Sequence, residues 1–265
     1  MRGIKPALLS VAGYDPTAGA GLLLDVAVFR RFGFPGLGIV TALTVQNTAR
    51  VQSFSCLRPP SVWSQYQALA RDISIGGIKI GMLGSEANIA AAARILKAAG
   101  RVPSVLDPIF RASSGKRLLE RRAVPGLIAR LKGAVTVVTP NLGEARLLSG
   151  KKADSLVRME EAAREISVAM DAAVVVKGGH LSGPAVNVLY DGRGFYLFEK
   201  ERLRRDVHGT GCFFSSALLC RLVLGDSLVE AVRASTDLTH DAIRQAVRLG
   251  KGRLVISPAA PASSG

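Results

Sequence analysis

Strand-length apolar runs alternate along this chain with segments of helical spacing, and that alternation restricts the fold more than any other feature of the sequence. Strands are predicted near residues 8–13 (LLSVAG), 37–45 (LGIVTALTV), 77–81 (GIKIG), 104–107 (SVLD), 134–139 (AVTVVT) and 173–177 (AVVVK). Repeated strand–helix–strand units of this kind build parallel sheets. Most of the runs are apolar at successive positions, as strands covered by helices on both faces require. An α/β fold with a mostly parallel central sheet follows.

The intervening segments carry helix boundaries. Ser61, after Pro59-Pro60, is expected to open VWSQYQALARDI; Ser85 opens EANIAAAARILKAAG, which stops at Gly100. Ser227 and Glu230 have capping-box spacing and begin a long C-terminal helix. The segment VNVLYDGRGFYLFEK reads as a β-hairpin around Asp191-Gly192-Arg193-Gly194, which makes one sheet edge antiparallel. With no internal repeat and no linker, residues 1–265 are read as one domain, and the tail PAAPASSG, about 258–265, as frayed.

Composition excludes several classes. Hydrophobic residues make up 48% and charged residues 21%, a globular balance rather than a disordered one. The three cysteines (56, 212, 220) lack CxxC spacing, so neither a disulfide framework nor a zinc site is indicated and a reducing cytoplasm is expected. Arg2 and Lys5 before ALLSVAG could mimic a signal peptide, but the run is short and passes into Tyr14-Asp15-Pro16 without a small-residue cleavage site. No stretch approaches the roughly 20 apolar residues of a membrane span. The net charge of +15 invites a nucleic-acid reading, yet the basic residues are scattered and aromatics are only 5%. The same field can attract a small polyanion such as ATP, and an arginine-rich solvated surface is the plainer alternative.

Ligands of open parallel sheets bind beyond the carboxyl ends of the strands. The residues there are Gly13 to Gly21 (GYDPTAGAG), with Asp25 on the next helix, then Gln46-Asn47, Gly81-Met82 and Asp107-Pro108. Thr139-Pro140-Asn141 with Glu144, and Lys177-Gly178-Gly179-His180, complete the set. Singly, each has an ordinary structural reading as turn, cap or solvated cation; together they describe a cleft holding an amide, carboxylates and a lysine.

Neither GxGxxG nor GxxxxGK[ST] occurs, which disfavours dinucleotide and Walker-type sites. HGTGC at 208–212 remains: a helix beginning there directs the amides of Gly209, Thr210, Gly211 and Cys212 at an anion such as a phosphate of ATP. Cys212 would then stand where an acceptor hydroxyl meets the phosphoryl group, or else be a small buried hydrophobe as Cys220 is read to be. The helix N-terminus is expected to raise its thiolate share, against the opposing charge of ATP.

AGYDPTAGAG, TALTVQNT, KIGML, VLDP, TPNLGEA, KGGHL and HGTGC, in this order over almost the whole chain, resemble the bacterial hydroxymethylpyrimidine/phosphomethylpyrimidine kinases of thiamine biosynthesis, a ribokinase-like family. The resemblance implies a three-layer α/β/α sandwich, ATP with Mg²⁺, and a homodimer. It also implies two successive phosphorylations of 4-amino-5-hydroxymethyl-2-methylpyrimidine. By the same resemblance Gly13, Asp25, Gln46 and Asp107 belong to the substrate site, with Met82 as an apolar wall. Asn141 and Glu144 would hold the metal through water, Lys177 would neutralise phosphate charge, and Thr210 and Gly211 would contact the nucleotide. Cys212 matches the cysteine that this branch carries at the end of the glycine motif.

The chain departs from the common pattern at Arg111 and Ser113, in IFRASSG, and at Val207 and Phe213. These changes leave open whether the second phosphorylation is retained. A pyridoxal or pyridoxine kinase, which acts on another flat heteroaromatic alcohol, and a slow ligand-binding regulatory homologue are the alternatives.

Overall fold

The computed structural model describes residues 5–179 and 183–257. His180 of KGGHL and the tail 258–265 lie outside them. The chain runs β1 (Ala7–Tyr14), α1 (Gly21–Arg31), β2 (Gly36–Gln46), β3 (Val51–Cys56), α2 (Pro59–Ala70), β4 (Ile75–Ile80), α3 (Glu86–Ala99) and β5 (Ser104–Leu106). It continues with α4 (Val124–Leu131), β6 (Val137–Val138), α5 (Leu142–Ser149), α6 (Leu156–Met170), β7 (Ala173–Lys177), β8 (Ala185–Tyr190) and β9 (Phe195–Lys200). Last come β10 (Val207–His208), α7 (Thr210–Val223), α8 (Leu228–Arg244) and β11 (Leu254–Val255).

Among the described residues nine strands form one sheet in the order β3-β2-β1-β4-β5-β6-β7-β8-β9, and β10 pairs with β11 separately. The strands from β2 to β7 are mutually parallel. Successive side chains of a strand leave on opposite faces, and the core divides accordingly. Leu9, Leu106, Val138 and Val174 join the core beneath α2–α6, whereas Leu8, Val105, Val137 and Val175 join the one beneath α1, α7 and α8. This is the three-layer α/β/α sandwich.

Three expectations are corrected. Both edges of the sheet are antiparallel, because β3 pairs antiparallel with β2 as well as β8 with β7 and β9. β3 is the sequence VQSFSC, whose half-polar pattern suits an edge facing solvent and lacks the apolar run that marked the other strands. The second helix starts at Pro59 with Arg58 as its cap, not at Ser61, because prolines fit a first turn whose N–H groups have no helical acceptor. The strand expected over 134–139 is limited to Val137 and Val138.

The other boundaries stand where their chemistry puts them. Ser85 accepts from the Asn88 N–H, and Ser227 with Glu230 closes a full capping box. In the 191–194 turn, Asp191 Oδ1 accepts from the N–H groups of Arg193 and Gly194 at 2.8 Å each. Among the described residues no helix is long and apolar enough to cross a membrane.

The topology fixes where a ligand can bind. From β1 the chain moves to β2 on one side and then returns to β4 on the other, so the crossovers diverge at the carboxyl end of β1 and leave a crevice there.

Candidate active site

A cavity of about 610 Å³ opens at that end of the sheet. Gly13, Gln46, Met82, Asp107, Asn141, Glu144, Lys177 and the whole of Gly209–Cys212 line it, each a residue expected at the site. They come from the ends of six different strands and from the start of α7, which is why they are scattered in sequence and adjacent in space.

One side of the cavity lies over β1, β2 and β4. Gly13 faces Met82 so closely that a Cβ on Gly13 would stand 2.8 Å from the Met82 sulfur and would displace that side chain. Gln46, at the last position of β2, is half-buried beside them.

HGTGC forms the middle of the cavity. Gly209 caps α7 with φ of 86°, a left-handed conformation that glycine adopts without strain, and a Cβ there would collide with the Gly19 carbonyl oxygen. The first helical hydrogen bond is Phe213 N–H to Gly209 C=O. The amides of Thr210, Gly211 and Cys212 therefore lie ahead of the helical ladder at the positive end of the helix dipole, the arrangement that binds anions.

Lys177 and Asp107 form an ion pair beside Gly211, with Nζ–Oδ1 at 2.8 Å. A Cβ on Gly211 would stand 3.1 Å from the lysine Nζ, so the cation abuts the amide cluster. Burial alone would lower the Lys177 pKa, but the carboxylates of Asp107 and Glu144 outweigh it and hold the group above its ordinary value. Glu144 and Asn141 build a reciprocal capping box at the start of α5, Asn141 N–H to Glu144 Oε2 at 2.8 Å and Glu144 N–H to Asn141 Oδ1 at 3.0 Å. Burial pushes the Glu144 carboxyl up to about 8; Lys177 opposes that rise and Asp107 adds to it. Two acids and one lysine thus share a confined space that a further cation would relieve. Among the described residues no group of three or more His, Cys, Asp or Glu could hold a metal alone. Mg²⁺ is characteristically held by one or two carboxylates, waters and a nucleotide's phosphates, and Glu144 and Asp107 are carboxylates that line this part of the cavity.

Asp25 is the expectation the structure corrects. It does not line the cavity; its side chain is fully buried and paired with Lys79 at 2.8 Å. Ser10 and Ser216 also donate to it, at 2.6 and 2.8 Å. The carboxylate is thus saturated beneath the floor and has nothing to offer a substrate.

Cys212 reaches the cavity with 6% of its surface exposed. The expected gain in thiolate is reversed: burial pushes the thiol up to about 12, and the opposing charge of Lys79 and the Gly21 N–H only moderate it. Loss of solvation on burial outweighs the helix terminus here. Of the departures from the common pattern, Arg111 and Ser113 line the cavity, whereas Phe213 packs into the core with Leu24, Val28 and Ala217.

Two residues gain roles that the sequence reading did not assign. Asp15 and His208 meet at 3.0 Å across the cavity rim, and the same histidine nitrogen lies 3.1 Å from the Gln46 amide. Both residues were visible inside their motifs; the missing signal was the contact between segments 193 residues apart.

Residues 15–257 match the family model described as phosphomethylpyrimidine kinase. The hydroxymethylpyrimidine/phosphomethylpyrimidine kinase of Aquifex aeolicus is 37% identical over 92% of this chain and 96% of its own. Its Rhizobium meliloti counterpart is 39% identical over 92% and 94%. Among solved structures, the Staphylococcus aureus pyridoxal kinase in complex with ADP superposes with a TM-score of 0.88 at 29% identity, covering 97% of this chain and 94% of that one. The phosphomethylpyrimidine kinase of Clostridium difficile gives 0.79 at 33% identity, covering 90% and 100%. A ribokinase-like sandwich with its cleft at the strand ends, matched over this length, shows that the chain is a phosphotransferase belonging to the phosphomethylpyrimidine kinase family.

Proposed function

We propose that this chain transfers a phosphoryl group from ATP to the hydroxymethyl group of 4-amino-5-hydroxymethyl-2-methylpyrimidine, and then a second one to the monophosphate formed. The observation that carries this reading is that the residues proposed for the acceptor (Gly13, Gln46, Met82) and those suited to an anion (Lys177, Gly209–Cys212) line one cavity. A Gln amide can both donate and accept, which suits an aminopyrimidine edge.

In the reaction, the acceptor oxygen attacks the terminal phosphorus of ATP, the bond to the bridging oxygen breaks, and ADP leaves. Charge on the transferring group is met by the Thr210, Gly211 and Cys212 amides and by Lys177, which Asp107 holds in place. A loose phosphoryl-transfer transition state demands little early deprotonation of the alcohol. The neutral Cys212 thiol therefore serves to orient the hydroxyl, whose proton passes late to an oxygen of the transferred phosphoryl group and from there to solvent. Glu144 and Asn141 would hold Mg²⁺ through water, and the ion would neutralise nucleotide phosphates. One cytoplasmic domain acting as a homodimer completes the reading.

Pyridoxal is the second reading, favoured by the 29% identity and TM-score of 0.88 with a pyridoxal kinase. A coupled ADP-release assay with the hydroxymethylpyrimidine, its monophosphate and pyridoxal in parallel separates them. Turnover of the first two supports the proposal. Preference for pyridoxal overturns it, turnover of the first alone removes the second step, and binding without turnover indicates a regulatory homologue.

A further inference from the structure

His208 Nε2 faces two neighbours at once: Asp15 Oδ2 at 3.0 Å and the Gln46 amide nitrogen at 3.1 Å. One imidazole nitrogen carries either a hydrogen or a lone pair, so it cannot donate to the carboxylate and accept from the amide together. The carboxylate decides. Asp15 Oδ1 already accepts from the Thr17 N–H at 2.9 Å and the Thr17 hydroxyl at 2.8 Å, and Oδ2 is left as an acceptor with His208 as its partner. A carboxylate oxygen against a lone pair is repulsive, whereas Nε2–H donating to it is a charge-assisted bond. The far nitrogen agrees: His208 Nδ1 lies 3.4 Å from the Ser113 hydroxyl, which can donate to it.

With the hydrogen on Nε2, an amide NH₂ there would face another N–H, so the amide atom beside it is the oxygen, which shares that one hydrogen with Asp15. The oxygen and nitrogen of a glutamine amide have the same outline, and their assignment follows from the bonds they make. The amide is therefore turned with Oε1 toward His208.

We propose that His208, held by Asp15, is a positioning residue that commits the Gln46 carbonyl and presents the Gln46 NH₂ group to the substrate ring. The inference rests on the functional reading above for Gln46 as a substrate contact, and it sharpens that reading. The site then selects a ring through an acceptor, an unprotonated ring nitrogen, rather than through an exocyclic amino donor. It also links ring recognition to the phosphate loop, since His208 immediately precedes Gly209, and to the 111–117 segment through Ser113.

The direct test is a long-range ¹H–¹⁵N spectrum of the ¹⁵N-labelled full chain near neutral pH, which reads the protonation of each imidazole nitrogen of the three histidines. The His208 signals are assigned with His208→Gln, or with His180→Gln and His240→Gln if that variant does not fold. A hydrogen on Nε2, in the neutral or the doubly protonated ring, is expected; a bare Nε2 overturns the proposal. Kinetics supply the second arm, with whichever of the hydroxymethylpyrimidine and pyridoxal the wild type turns over. His208→Gln and Asp15→Asn are each expected to raise the KM for that substrate roughly tenfold, a larger factor than the change in kcat. Adding His208→Gln to Gln46→Ala is expected to raise KM no further, whereas additive losses would mark a merely structural histidine and overturn the proposal. If the wild type turns over neither substrate, the functional reading fails, and the spectrum alone still decides whether His208 Nε2 carries the hydrogen that turns the amide.

Discussion

Two aspartate–lysine pairs lie close to the HGTGC turn, alike in chemistry and opposite in setting. Asp25–Lys79 is sealed, with no exposed side-chain surface on either partner, and its carboxylate is saturated by Ser10 and Ser216. Asp107–Lys177 makes the same 2.8 Å contact, but the lysine keeps 15% of its side-chain surface at the cavity. A dry pair with every hydrogen bond made holds a fold in register, while one with an accessible cation can exchange part of its partner for a phosphate. The Lys79 pKa shows the first case: burial opposes the charge, and Asp25 with its neighbours raises the pKa regardless.

The comparison can be broken first at Lys79. Lys79→Met strands a buried carboxylate and should cost about 3–5 kcal/mol in urea unfolding, and pairing it with Asp25→Leu should recover most of that loss. A single variant as stable as wild type would show the sealed pair to be dispensable. Lys177→Met should do the reverse, lowering turnover about 10²–10³-fold with a smaller loss of stability, as judged by steady-state kinetics beside the same unfolding experiment. Equal stability losses at the two lysines would erase the distinction. Ser10→Ala removes one donor from Asp25 and should cost about 1.5–3 kcal/mol while turnover stays nearly constant.

The smallest effect concerns acid–base behaviour above the pairs. Because the Cys212 thiol is pushed up to about 12, its thiolate fraction grows with pH throughout the accessible range. Alkylation of Cys212 by iodoacetamide, followed by mass spectrometry, should rise about tenfold per pH unit from pH 7 to 10. A rate that bends near pH 8.5 and levels off by about pH 10 would mean an ordinary thiol.

The same contrast explains how much was legible in the sequence. Strand ends were readable because apolar runs stop where polar residues begin, and parallel topology gathers those ends at one edge; Gln46, Asp107 and Lys177 were found that way. Asp25 was misplaced because motif position says nothing about depth. The signal was nonetheless present: an acid inside LLLDVAV and a base inside GIKIG each lack polar neighbours, and two lone opposite charges in apolar elements imply each other. β3 was missed because an edge strand with a polar face leaves little hydrophobic pattern. The His208–Asp15 contact was invisible because it joins the end of β10 to the turn after β1, whose approach depends on glycine packing, Gly209 against Gly19. The thiol's protonation required knowledge of burial, which a cysteine on a helix's first turn does not disclose.

The phosphate loop with its thiol bears the central claim, and kinetics of Cys212→Ala test it most directly. The variant should lose about 10²-fold or more in kcat while its ATP affinity, measured by calorimetry, stays within about twofold of wild type. An unchanged kcat would contradict the account and leave the sulfur as packing.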